Sequence, residues 1–232
     1  MNSTVFFSQA ALLLLLTACS ANTKTTNEQT EDQAQISDQV VVEINETTFP
    51  DSAFRSFLQS NDYGADGKLT KAELDNVREL LLPMRDIRDL KGIEFFTSIE
   101  KLDCSMNKLT SLDVSNLSQL ARLQCYDNNL TELDLTNNTK LEIVYCDQNK
   151  LNSLSIPNTP SLILVSFSQN QMKGEALDKL IKELPNANSS EIHYFTICGE
   201  DIQKENNKWT KKQLSNVRAK GWTPYNMKGE EL

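Results

Sequence analysis

An internal repeat with a period of 21 residues constrains the fold more than any other feature of this chain. A column of cysteines and a column of asparagines carry the period: Cys104, Cys125, Cys146, Asn107, Asn128, Asn149 and Asn170. Apolar columns with the same step begin at Leu102 and at Leu109. A chain that repeats in this way is predicted to form a solenoid, because each unit buries its apolar edge only by stacking on its neighbours. Such a fold offers a broad surface rather than a deep catalytic pocket.

One complete unit spans residues 99–114, and its pattern resembles the leucine-rich repeat; its apolar and defining positions are Ile99, Leu102, Cys104, Asn107, Leu109, Leu112 and Val114. A degenerate leading unit at residues 80–93 extends the array to residues 77–173. The resemblance implies an α/β fold: a leucine-rich repeat solenoid with a short parallel β-sheet on its concave face, a helical N-terminal cap and an α/β C-terminal cap.

Each column of the repeat has a predicted physical role. Leu102 and Cys104 are two residues apart on a short strand, so both side chains point into the solenoid. Asn107 follows the strand, where its amide can bond main-chain groups of its own turn and of the adjacent turn. We interpret the cysteines as buried core thiols. Disulfides and a metal site are the alternatives; stacked side chains run parallel to one another and no histidine accompanies the cysteines.

The N-terminus predicts export and membrane attachment. An apolar run at residues 10–16 is too short to span a bilayer but suits the core of a signal peptide. The sequence Leu16-Thr17-Ala18-Cys19 resembles a bacterial lipobox, which predicts a signal peptide at residues 1–18 and a lipid on Cys19. The polar composition of residues 19–40 predicts a flexible tether.

A separate helical module is predicted at residues 41–76. It contains a loop that resembles the calcium loop of an EF-hand, with Asp62, Asp66 and Glu73 as candidate ligands, but Gly64 at the third position has no side-chain oxygen. Thr70 and Glu73 also match a helix capping box, which competes for the same carboxylate. The two interpretations are a calcium site and a cap that covers the first repeat.

The Phe49-Pro50-Asp51 start, this loop and the cysteine-bearing repeats together are similar to secreted leucine-rich repeat lipoproteins of Bacteroides-type bacteria. The resemblance implies a lipid-anchored protein of the bacterial cell envelope, at the outer membrane or cell surface. At the other end, residues 174–232 are predicted to form the C-terminal cap, with helices at 175–184 and 210–220 and a strand at 192–198.

The candidate binding residues flank the inward positions of the strands, where we expect them to face the open concave sheet: Lys101, Asp103, Arg122, Tyr126, Tyr145 and Asp147. Tyrosine and arginine are favoured anchors of interfaces, so these residues predict contact with a protein or a glycan. The alternative is that they only coat the sheet with soluble side chains. At the level of the whole protein, the alternative to a recognition module is a structural accessory subunit of an envelope complex.

The sequence argues against several other functions. A net charge of −9 disfavours nucleic acid and anionic lipid as partners. His193 is the only histidine, and the chain has no phosphate-binding glycine loop or nucleophile elbow. We therefore predict a protein without enzymatic activity and without a cofactor, apart from the candidate calcium ion.

Overall fold

The computed structural model describes residues 39–187, 192–198, 205–226 and 228–232. The strands of these residues, numbered along the chain, are β1 (Val40–Glu43), β2 (Lys68–Thr70), β3 (Glu79–Leu81), β4 (Lys101–Asp103), β5 (Arg122–Gln124), β6 (Glu132–Asp134), β7 (Ile143–Tyr145), β8 (Ser153–Ser155), β9 (Leu164–Ser166), β10 (His193–Cys198) and β11 (Trp222–Asn226). The α-helices are α1 (Ser52–Gln59), α2 (Lys71–Asn76), α3 (Glu175–Glu183) and α4 (Lys211–Ala219).

The main sheet has seven strands in the order β11-β10-β9-β7-β5-β4-β3. All of its neighbouring strands are parallel. Equivalent repeat positions lie opposite one another, so that Leu102 pairs with Leu123 and Leu123 with Val144. These residues are fully buried, as are Cys104, Cys125 and Cys146 two positions further on. The cysteines are free thiols, which confirms their interpretation as core residues.

The asparagine column forms a continuous ladder of buried hydrogen bonds. Asn128 accepts a hydrogen bond from the Leu109 amide at 3.0 Å through Oδ1, and its Nδ2 donates to the carbonyls of Cys104 at 3.0 Å and Cys125 at 3.2 Å. Asn149 makes the same set of contacts one unit later. Each amide therefore joins its own turn to the preceding turn, as the sequence predicts, and satisfies backbone groups that no water can reach.

The C-terminal part of the chain continues the solenoid instead of only closing it. Strands β10 and β11 extend the main sheet, with Phe195 opposite Val165. Asn207 adds another step to the ladder, because its Oδ1 accepts from the Met172 amide at 2.9 Å and its Nδ2 donates to the Phe167 carbonyl at 3.0 Å. This asparagine lies outside the 21-residue period, since the unit that contains it is longer than the others and includes α3 before its strand β10.

A second, two-stranded sheet of β6 and β8 forms outside the main sheet, and it was not predicted from the sequence. At the end of β6, Asp134 Oδ1 accepts from the Thr136 amide at 2.9 Å. The next unit has Ser155 at the position of that aspartate, and Glu183 of α3 supplies a carboxylate there, accepting from the Ile156 amide at 3.0 Å. Helix α3 is thereby fixed to the side of the solenoid.

The N-terminal module is built onto the first unit through a shared apolar core. Asp51 begins α1 as its N-cap by accepting from the amides of Ala53 at 2.9 Å and Phe54 at 3.0 Å. The ring of Phe49 packs against Phe95 of the first unit with centroids 6.0 Å apart. Strands β1 and β2 pair antiparallel beside these helices. The module therefore covers the open end of the apolar core, which a solenoid requires.

Candidate binding surface

Two columns of side chains point outward from the main sheet. Their strand positions are fixed by the pairing register and alternate with the buried columns. The first column contains Glu79, Lys101, Arg122, Ile143, Leu164 and Tyr194, and the second contains Leu81, Asp103, Gln124, Tyr145, Ser166, Thr196 and Tyr225. The face is therefore charged over its first three strands and largely apolar or aromatic beyond them.

Most of the predicted binding residues reach this face. Arg122 is exposed, and Lys101, Asp103, Tyr126 and Tyr145 are partly exposed. Lys101 Nζ lies 3.5 Å from a carboxylate oxygen of Glu79 on the neighbouring strand. Tyr126 and Tyr145 occupy diagonal positions, but their rings are not among the aromatic pairs in contact within the described residues. The two rings therefore do not form a stacked pair.

Asp147 is an exception, and its predicted place on the open face is wrong. Only 6% of the residue is exposed. Its Oδ1 accepts hydrogen bonds from Ser166 Oγ at 2.7 Å, Ser168 Oγ at 2.8 Å and the Ser168 amide at 2.8 Å. The reason is that two serines of the next unit, Ser166 and Ser168, bind the carboxylate, whereas Tyr126 at the equivalent repeat position is partly exposed. Burial raises the pKa of this carboxyl above its ordinary value, although the three hydrogen bonds oppose the rise.

The raised pKa of Asp147 predicts a pH-dependent stability difference. A carboxyl whose pKa is higher in the folded state than in the unfolded state stabilises the fold below its unfolded pKa, and that contribution is lost as the pH rises through its folded pKa. Asp147→Asn keeps an Oδ1 acceptor without a charge, so we expect it to be more stable than the parent at pH 7. Urea denaturation at pH 7 and at pH 4 checks this, since the advantage should shrink at the lower pH. An Asn variant that is less stable at both pH values would contradict the assignment.

The structure adds two aromatic residues that the sequence did not suggest as binding residues. Tyr194 and Tyr225 face the same side as Leu164 and Tyr145, and their ring centroids lie 5.4 Å apart. Tyr194 is 41% exposed. The sequence did contain a pattern that places Tyr194 on this face. Inward and outward residues alternate along the strand predicted at 192–198, and Tyr194 lies between His193 and Phe195, which are both buried. The predicted C-terminal cap includes β10, so its outward residues lie outside the predicted repeat surface.

The loop that resembles an EF-hand does not fit a calcium site. Glu73 Oε2 accepts hydrogen bonds from the Thr70 amide at 2.7 Å and Thr70 Oγ1 at 2.8 Å, so the capping box engages this carboxylate. A side chain at Gly64 would overlap the Leu58 carbonyl, so close packing explains the glycine at a position that an EF-hand uses for a ligand. Within the described residues, no group of three acidic, histidine or cysteine side chains, including Asp62, Asp66 and Glu73, is placed to hold a metal ion.

This arrangement predicts different costs for two acidic residues of the loop. Glu73→Ala removes the capping box and should lower the free energy of unfolding by about 1 kcal/mol. The exposed Asp62 should tolerate alanine within about 0.5 kcal/mol. Both values should be the same in millimolar calcium and in excess chelator. Calcium-dependent stabilisation of the parent that is lost in Asp62→Ala would instead establish a bound ion.

Other predicted elements lie inside the core or outside the described residues. The ring of His193 is buried and packs edge-on against Trp222, with centroids 5.0 Å apart. Cys198 is also buried. Cys19, the signal peptide at residues 1–18 and nearly all of the tether lie outside the described residues. No helix in the described part of the chain is long and apolar enough to cross a bilayer.

The comparisons with known proteins identify structural neighbours but no sequence family. No family model and no curated protein matches the chain. The functional domain of InlJ from Listeria monocytogenes, which includes a cysteine ladder, is similar with a TM-score of 0.56 and 26% identity over 78% of this chain and 37% of the InlJ chain. Internalin C2 of the same bacterium gives a TM-score of 0.51 and 19% identity over 81% of this chain and 91% of its own. A third, the Listeria internalin InlF, gives a TM-score of 0.47 and 20% identity over 80% of this chain and 57% of its own.

These neighbours are internalins, which are leucine-rich repeat proteins. The chain spans well under half of the InlJ chain, and the likeness to internalin C2 concerns the fold alone. The parallel strands, the cysteine column and the asparagine ladder agree with that fold. The chain therefore has the fold of a leucine-rich repeat solenoid, as its 21-residue period predicts.

Proposed function

We propose that this protein is a non-catalytic recognition module that binds a partner protein through the concave face of its main sheet. The observation that supports the proposal is the contrast between the inward and outward columns. The inward positions repeat nearly the same residue from strand to strand, whereas the outward positions change from Glu79, Lys101 and Arg122 to Ile143 and Leu164. Core packing does not require this change, because these side chains are not buried.

The composition of the face favours a protein over a glycan. Protein interfaces combine an apolar and aromatic centre with a polar rim, and tyrosine and arginine anchors carry most of their binding free energy. Here Tyr145, Leu164 and Tyr194 lie on three successive strands of the sheet, and Arg122 lies on the strand before them. Leu81 at the edge strand is 43% exposed and adds apolar surface at the far end. Hence we assign the contact to Arg122, Tyr126, Tyr145, Tyr194 and Tyr225, with Lys101 and Asp103 at its rim.

A paired set of variants tests the concave site. We expect Tyr145→Ala combined with Tyr194→Ala to weaken binding of a captured protein partner at least about 100-fold, because each interface anchor contributes roughly 2 kcal/mol or more. The matched control changes Glu132 and Ser153 to alanine on the second sheet, which is separate from the main sheet. Unchanged affinity in the tyrosine variant would place the site elsewhere. A partner set made up of glycans would overturn the choice of a protein.

We further propose that Cys19 carries the lipid that holds this module in the bacterial cell envelope, at the outer membrane or cell surface. The support is the sequence Leu16-Thr17-Ala18-Cys19 followed by a polar tether. Cys19→Ser should abolish incorporation of labelled palmitate and release the protein from the membrane fraction. The four cysteines of the folded part are buried and would not take up lipid, so a palmitate signal that survives the substitution would contradict the anchor.

A further inference from the structure

Positive charge is concentrated in one short part of this acidic chain. Residues 206–229 contain six Lys and Arg residues and no Asp or Glu, although the whole chain has a net charge of −9. Three of these cations, Lys211, Lys212 and Arg218, lie on α4, and all three are exposed. Helix α4 packs on β11 at the edge of the main sheet opposite β3. The cationic surface is therefore separate from the concave face and lies at the C-terminal end of the solenoid.

The helix arranges these cations around an open row of small residues. Gln213 and Val217 are buried and mark the inner side of α4. With 3.6 residues per turn, the opposite side is formed by Ser215 and Ala219. Lys211 and Arg218 then lie along one flank of this row and Lys212 along the other. An extended polymer could lie along the small residues with cationic groups on both sides of it.

Ion pairing accounts for none of these cations, and helix stability accounts only for Arg218, which lies in the last turn of α4, where the helix dipole favours positive charge. Lys211 and Lys212 occupy the first turn of α4, where the helix dipole disfavours positive charge. None of Lys211, Lys212 and Arg218 forms an ion pair with any residue that the structure describes. The capping box of Thr210 and Gln213 begins the helix without help from an acidic residue.

The chemistry of the surface distinguishes among anionic partners. The apolar residues of α4 face inward, so the helix has no apolar face to insert into a membrane. No large apolar side chain of the described residues is exposed on α4, so the surface lacks the aromatic anchors of a protein interface and the stacking groups of single-stranded nucleic acid. Five of the six cations in residues 206–229 are lysines, which act as hydrated point charges.

We propose that the outer face of α4 is a binding surface for an acidic polysaccharide bearing sulfate or carboxylate groups. Lys211, Lys212 and Arg218 contact the acidic groups, and Ser215 and Ala219 leave room for the sugar chain between them. Binding by charge alone releases counterions from the polymer, so affinity falls steeply as salt rises. This second site is independent of the concave face and of its protein partner.

The test uses the protein produced without its predicted signal peptide, titrated with dextran sulfate, alginate and neutral dextran at low and physiological salt. We expect binding to one or both acidic polymers and none to neutral dextran. The variant Lys211→Gln, Lys212→Gln, Arg218→Gln should weaken this binding about tenfold or more. The matched control Lys108→Gln, Lys140→Gln, Lys150→Gln removes the same number of exposed positive charges from the repeats and should change binding by less than about threefold.

The outcomes separate the partner classes and the two acidic groups. Preference for dextran sulfate identifies sulfate, and preference for alginate identifies carboxylate. Equal losses in the two triple variants would show a nonspecific effect of net charge and overturn the site. Tighter binding to phosphatidylglycerol vesicles or to DNA than to either polysaccharide would overturn the choice of partner, and so would no binding to either polymer at low salt. Thermal melting of both variants checks that α4 remains folded.

Discussion

Asn128→Ala is expected to lower the free energy of unfolding by about 3–5 kcal/mol, the largest effect of any single polar substitution in the repeats. The alanine leaves the Leu109 amide without its acceptor and the Cys104 carbonyl without one of its donors. These groups lie inside the solenoid, where each unsatisfied polar atom costs roughly 1–3 kcal/mol. Since the lost bonds join two turns, the damage should spread to both.

Urea denaturation followed by circular dichroism measures this loss. The matched control is Asn116→Ala, because Asn116 is an exposed asparagine on a return segment of the same array and should change stability by less than about 0.5 kcal/mol. Asn149→Ala should behave like Asn128→Ala, since it makes the same contacts one unit later. A cost near that of the control would mean that the ladder bonds contribute little beyond what water supplies to the unfolded chain.

Gly92→Ala should be nearly as damaging, with a loss of about 3 kcal/mol or more. Gly92 has φ of +101°, a conformation that costs a residue with a Cβ about 1 kcal/mol or more. The added methyl group would also overlap the buried ring of Phe49, and overpacking of this kind costs about 1–3 kcal/mol. Phe49 is one of the contacts between the N-terminal module and the first unit, so the variant should loosen the module first.

Gly67→Ala is the control that separates backbone strain from the clash. Gly67 has φ of +80° in the same module, but no heavy atom lies within 4 Å of an added Cβ. It should lose only about 1 kcal/mol. Hydrogen exchange of the α1 amides measures whether the module opens in Gly92→Ala. Equal losses in the two variants would show that Phe49 moves aside without cost.

The columns that repeat strictly in sequence were predictable because each responds to the same local environment in every turn. Leu102, Cys104 and Asn107 are inward positions whose burial is decided by the period alone. Helix starts were predictable for the same reason, since the Thr70 and Thr210 capping boxes involve residues three positions apart. Contacts of short range in sequence leave a pattern that can be read without the structure.

Contacts between turns left no such pattern. Asp147 is buried only because Ser166 and Ser168 of the next unit receive its carboxylate, whereas the equivalent Tyr126 is too large for this place and stays partly exposed. At the C-terminus, a carboxylate oxygen of Glu205 accepts a hydrogen bond from the backbone amide of Gln169. The amides at the equivalent position in earlier turns donate to a backbone carbonyl instead. Asn207 follows Asn170 after more than 21 residues, so the repeat period did not predict this last step of the ladder.

The asparagine ladder has a consequence for how the protein can change its length. Because each asparagine bonds only its own turn and the one before it, any internal turn presents the same backbone to both neighbours. The two ends differ, since the N-terminal module with Phe49 covers one and β11 with α4 forms the other. Deleting or duplicating 21 residues in the middle therefore joins surfaces that already match. Recombination between units can therefore change the number of strands in the concave face while both ends of the solenoid keep their sequence.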